Sequence, residues 1–138
     1  MDDFGRVMED LHSWLSAEFV REGVFLLDKE TKILAAIPRI SGSPFTLTRT
    51  EDGILVGLGL GVTLMIPRDD PFSMADIQAP LRSIITSGIL LSVPIEPFGE
   101  PVIRYTIDYE NGALSSRVPG REYVEFPTRA WQPDGSAV

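Results

Sequence analysis

From Ile54 to Ile66 every even-numbered residue is a branched aliphatic: Ile54, Val56, Leu58, Leu60, Val62, Leu64 and Ile66. The odd positions read Leu55, Gly57, Gly59, Gly61, Thr63 and Met65. Strand side chains alternate between faces, so this stretch is strand with one apolar side and one nearly bare side. Three successive glycines on one face leave a smooth floor that another group can approach closely. A single strand over 54–66 measures about 43 Å at roughly 3.3 Å per residue, far beyond the usual length. We therefore expect one strand that bends strongly at its glycines, with division into two strands as the alternative.

The same glycines exclude one kind of chemistry. A phosphate-binding loop needs its glycines in a turn that opens a helix, so that helix-terminal N–H groups meet the phosphate. Here Val62 to Ile66 continue a strand, and no lysine follows at the required spacing.

Upstream, Phe4, Val7, Met8, Leu11, Leu15 and Phe19 form one stripe of a 3.6-residue period, which predicts a helix over 3–21. Asp2 or Asp3 is placed to cap it and Gly23 to end it. Short apolar runs at 24–28 and 33–38 read as a hairpin, and 45–49 alternates as a strand before the turn at Glu51-Asp52-Gly53. A second helix is expected from an N-cap at Ser73 to Ser87, closed by Gly88. Pro80 either kinks that helix or makes it begin at Ala79.

The last third reads as β: a central strand at 89–95, a turn at 97–101, and a hairpin closed by Asn111-Gly112. That turn sets Tyr109 opposite Leu114 and Ile107 opposite Ser116, with Ile103, Tyr105, Ile107 and Tyr109 on one face. Arg104, Thr106 and Asp108 lie on the other, expected to be wet. A final strand is expected at 122–126. The fold expected is α+β: one antiparallel, strongly bent sheet with an N-terminal amphipathic helix and a second helix in mid-chain. Residues 1–127 form the domain and 128–138 a tail.

Composition narrows the function. Twenty acids against 12 bases give a net charge of −8, the opposite of a nucleic-acid footprint and unsuited to anionic membranes. It suits a basic protein partner. The absence of cysteine removes disulfides, thiolate metal sites and cysteine nucleophiles. No signal peptide or membrane span is evident, so a cytoplasmic location is expected. His12, the only histidine, is too little for a zinc site and is read as exposed and idle. Asp69-Asp70 and the run Asp108 to Gly112 are carboxylate-rich, but the second lacks the closing Glu of a calcium loop. Neither a metal nor an organic cofactor is expected.

Three functions follow in order. The first is a non-enzymatic, inhibitor-like or chaperone-like protein that binds a protein partner, with Tyr105, Tyr109 and Trp131 as contact candidates. Trp131, alone in a proline-containing tail, either meets a partner or anchors the tail on its own domain. The second is an apolar-ligand binder with a pocket at Gly57, Gly59 and Gly61. The third, an enzyme using carboxylates with Tyr or Arg, needs ionisable groups converging in one cleft. A homodimer through a sheet edge is compatible with all three.

Overall fold

The computed structural model describes residues 3–59, 63–69, 71–95, 103–110 and 112–135. The architecture is α+β, with two antiparallel sheets and two helices. The first sheet is a meander of five strands in chain order: β1 (Gly23–Leu27), β2 (Leu34–Pro38), β3 (Phe45–Arg49), β4 (Gly53–Gly57) and β5 (Thr63–Pro67). The second has the order β8-β7-β6-β9, built from β6 (Leu90–Pro94), β7 (Arg104–Tyr109), β8 (Gly112–Ser115) and β9 (Tyr123–Pro127). Helix α1 spans Val7–Glu18 and α2 spans Met74–Ser87.

The expected single bent strand over 54–66 is two strands, and the sheet shows no strong curl. Strands β4 and β5 pair with each other, Ile54 opposite Ile66, Val56 opposite Leu64 and Gly57 opposite Thr63. The chain therefore reverses between Gly57 and Thr63, and Gly59 supplies a positive φ of 92° within that reversal, a conformation other residues adopt only with strain. Partner numbers sum to an even value, so even residues face even residues. The alternation consequently survives the reversal, and a hairpin of this register reads in sequence as one strand. Ile54, Val56, Leu58, Leu64 and Ile66 are all buried, as the alternation predicts. Gly61, Leu60 and Val62 lie outside the described residues.

The inner face of the first sheet packs on α1. Phe25, Leu34, Ala36, Phe45 and Leu47 join the even residues of β4 and β5 in one core with Val7, Met8, Leu11 and Leu15. The helix is shorter than expected: Asp3–Arg6 form a 3-10 turn, Arg6 is the N-cap without a side-chain cap bond, and Phe19 is the C-cap. Gly23, expected to end the helix, opens β1 instead. Asp2 lies outside the described residues. His12 is half-buried rather than idle, its Nε2 donating to the Phe25 carbonyl at 2.8 Å. That bond ties α1 to the strand beneath it.

Helix α2 begins at Met74, with Ser73 as N-cap, and continues through Pro80 to Gly88. Proline at 80 removes the donor for the Asp76 carbonyl. Asp76 is exposed, so water can serve that acceptor. The helix leans on β7, with Ile77, Leu81, Ile84 and Ile85 buried and the Ser83 hydroxyl donating to the Asp108 carbonyl. In the β7–β8 hairpin Tyr109 lies opposite Gly112 and Ile107 opposite Leu114. This is two residues away from the expected register, because the reversal falls one position earlier, between Tyr109 and Gly112. An even slip keeps each side chain on its face. Thr106, expected to be wet, is buried and bonded to Ser115 at 2.8 Å. Asn111 and the turn expected at 97–101 lie outside the described residues.

Residues 128–135 run back over the ends of both sheets. Thr128 exchanges backbone and side-chain bonds with Ile89 (2.8 Å each for Thr128 N–H to Ile89 O and Ile89 N–H to Thr128 Oγ1). Trp131 N–H donates to Ile85 O at 2.8 Å, and its indole Nε1 donates to Ser43 O at 3.0 Å. The ring stacks on Phe25 at 6.0 Å and lies 5.7 Å from Phe45. At Gly42 (φ 144°) any Cβ would collide with the indole, so the slot depends on glycine. Trp131 thus bolts α2 to the loop between β2 and β3. Trp131→Ala is expected to cost about 3–5 kcal/mol in chemical denaturation; a loss below about 1 kcal/mol would show the tail to be dispensable.

Candidate functional site

The outer face of the first sheet carries the side chains that the pleat turns away from α1. Its described members are Val24 and Leu26 on β1, Ala35 and Ile37 on β2, Thr46 and Thr48 on β3, Gly53, Leu55 and Gly57 on β4, and Thr63, Met65 and Pro67 on β5. None is ionisable. Leu26 is 54% exposed, Ile37 44% and Val24 37%, and contiguous apolar exposure of this kind marks interaction surfaces in proteins.

The face is not flat. On the β1–β2 side, branched aliphatics stand up from the sheet. On β4 and β5, Leu55 and Met65 stand at one end, and at the other Gly57 and Gly59 leave a trough, which continues over Ala35, Ile37, Pro44, Thr46 and Thr63 as an open groove of about 400 Å³. A side chain at Gly57 would meet the Thr46 hydroxyl across the strand pair, whereas one at Gly59 would meet nothing within 4 Å. The glycine floor is therefore uncovered among the described residues: α1 packs on the opposite face, and Trp131 sits at its end, on the inner side.

Charge is segregated in the same way. Between Gly23 and Pro67, four acids (Asp28, Glu30, Glu51, Asp52) balance four bases (Lys29, Lys32, Arg39, Arg49). The whole net charge of −8 lies in the rest of the chain. At the rim of the face, Thr31 Oγ1 and the Glu30 N–H both donate to Asp28, which holds its carboxyl below the ordinary value. Lys32 reaches Glu9 of α1 at 3.6 Å. A hydrogen bond from the backbone, and behind it the Lys32 charge, lowers the Glu9 carboxyl as well.

The aromatic contact candidates lie elsewhere. Tyr105 is 3% exposed and Trp131 3%, so burial takes both off the accessible surface. Tyr105 stands on the same face as Ile107, and that shared parity was the available signal for its burial. Tyr109 is half-buried and lines a second groove, of about 390 Å³, between α2 and the end of β7 with Arg82, Ser83, Thr86, Asp108 and Glu110. There Arg82 is already engaged. It pairs with Glu18 and lies 5.4 Å from the Trp14 ring and 5.8 Å from the Phe19 ring. Glu18 also accepts from Trp14 Nε1 at 2.6 Å. Among the described residues no three of His, Asp and Glu cluster to hold a metal ion; Asp70 lies outside them.

Arg82, and after it Trp14, holds the Glu18 carboxyl below its usual value of 4.5. A depressed carboxyl stabilises the fold above its unfolded-state pKa and stops doing so as pH falls through the folded value. Both partners are substantially exposed, so solvent screens the pair. Glu18→Gln should cost under about 1 kcal/mol at neutral pH. The gap between wild type and variant should hold above about pH 5.5 and close as pH falls below 4.5. Urea titrations at several pH values read it, and a gap undiminished at about pH 3 would remove the pair as its cause.

No helix among the described residues is long and apolar enough to cross a membrane. Compared with protein-family models, curated protein sequences and solved structures, the chain matches none.

Proposed function

We propose that this is a binding module whose outer sheet face docks another protein, without chemistry of its own. The observation that carries the reading is a five-stranded face, uncharged and partly apolar, that no other described part of the chain covers. Leaving Leu26, Ile37 and Val24 in water costs on the order of 1 kcal/mol or more each relative to burial. A docked partner recovers that energy. The face itself is neutral, so a basic partner is favoured only by the acidic surface beyond it. We place the protein in the cytoplasm, a reading that rests on its cysteine-free composition.

A second reading is favoured by the groove itself. A volume of about 400 Å³ lined mostly by Ala35, Ile37, Pro44 and glycine suits a small apolar ligand. Against it, ligand pockets enclose most of their ligand's surface, and this trough lies open along an exposed face. A broad partner surface fits it better.

Because the chain has no cysteine, Thr46→Cys gives a single thiol at the middle of the face. A photoreactive label there should capture discrete proteins from native extract, suppressed by excess wild type and not by excess Thr46→Arg. The same label on Thr86→Cys, exposed on α2, is the control. Identical adducts from both positions would exclude the face as the docking surface.

A further inference from the structure

We propose that the occupant of this face is a second copy of the chain, related by a two-fold axis that runs along β3; this rests on reading the face as a docking surface. The strand registers supply the geometry. Leu26 pairs with Ala35, Ala35 with Thr46, Thr46 with Gly57 and Gly57 with Thr63, so these five residues form one row across the sheet. Thr46 is its middle member. In face-to-face sheet packing, a two-fold along β3 keeps height along the strands and exchanges β1 with β5 and β2 with β4.

That operation sets large side chains over small ones. Leu26 of one copy comes over Thr63 of the other, and Ala35 over Gly57. Ile37, two residues beyond Ala35, comes over the glycine end of β4. Thr46 meets its own equivalent on the axis. At this end of the face, Leu26 and Ile37 of each copy thus enter the glycine trough of the other, clear of Leu55 and Met65 at the far end of β4 and β5, the self-complementarity an isologous contact requires. At the roughly 10 Å separation of packed sheets, facing side chains interdigitate, and a bare floor is what an aliphatic ridge needs.

Charge selects the same occupant. Two copies carrying −8 each repel unless they meet through a neutral region, and the segment that forms this sheet is the neutral part of the chain. A basic partner finds no acid within the face to pair with. The area sets the strength. Five strands about 4.8 Å apart and about five residues long span roughly 400 Å² per copy. The total lies below the ~1,200–2,000 Å² of stable complexes. The dimer is therefore weak, half-formed between about 10 µM and 1 mM.

Sedimentation of the full chain from about 5 µM to 1 mM tests this. Wild-type mass should climb from one chain toward two. In Thr46→Arg two guanidinium groups meet on the axis, so association should fall at least about tenfold with an unchanged unfolding midpoint. Thr86→Arg should associate as wild type does. If Thr46→Arg fails to fold, Leu26→Lys, at an exposed edge-strand position, repeats the measurement. Wild type that stays monomeric at about 1 mM, or Thr46→Arg that associates undiminished, overturns the two-fold. If monomeric wild type still yields competed adducts from the Thr46 label, the docking reading stands and only the second copy is lost; without adducts, both fall.

Discussion

A β-sheet has two faces, and one helix can cover only one of them. In this protein α1 lies on the face that gathers Phe25, Leu34, Leu47, Ile54, Val56, Leu64 and Ile66, and α2 leans on β7 of the other sheet. A one-residue slip of the β4–β5 hairpin would turn Ile54, Val56, Leu64 and Ile66 to solvent. At roughly 2 kcal/mol per side chain that is about 8 kcal/mol, comparable with the whole stability of a small domain. The register is therefore fixed. Its consequence is that the other face, bare at the glycines and aliphatic opposite them, is left uncovered by the described residues.

The tail completes the enclosure of the inner face. At the Phe25–Phe45 end Trp131 joins the core from the far end of the chain, its indole bonded to Ser43 and its backbone to Ile85. The Trp14–Glu18–Arg82 cluster fastens the two helices at the surface. Its electrostatic share is small because it is exposed, whereas the buried indole contributes through packing. The aromatic of the tail thus matters for joining α2 to the first sheet, and its ring is not part of the exposed surface.

The functional reading follows from what is left over once the core is closed. Neither groove joins a nucleophile to an oriented base, and in the α2–β7 groove the Arg82 guanidinium is held by Glu18. The outer face, in contrast, offers shape and apolar area with no charge, and the charge-balanced segment that builds it stands apart from the acidic remainder. Such a surface gives its partner little long-range steering and relies on fit at contact.

The sequence by itself determined the inward face of α1 and of the β4–β5 hairpin, although on β7 it left Thr106 to be found buried. Alternation over 54–66, the helical stripe of Phe4 to Phe19 and the parity of Ile103 to Tyr109 each depend only on local backbone geometry. Ile54, Val56, Leu58, Leu64 and Ile66, and Tyr105 with Ile107 on β7, are buried accordingly. Three things required the tertiary structure. An even-sum register makes a hairpin and a long strand identical in alternation, so the reversal at Gly59 left no periodic trace. Periodicity is also silent on which strands pair, so the division into two sheets was hidden. The slot for Trp131 joins Gly23, Phe25, Gly42 and Phe45, which are distant from it in sequence. The glycine face was legible as bare from residue identity alone; that no described residue covers it was decided by where α1 packs, because burying the aliphatic side gains more than burying the glycine side.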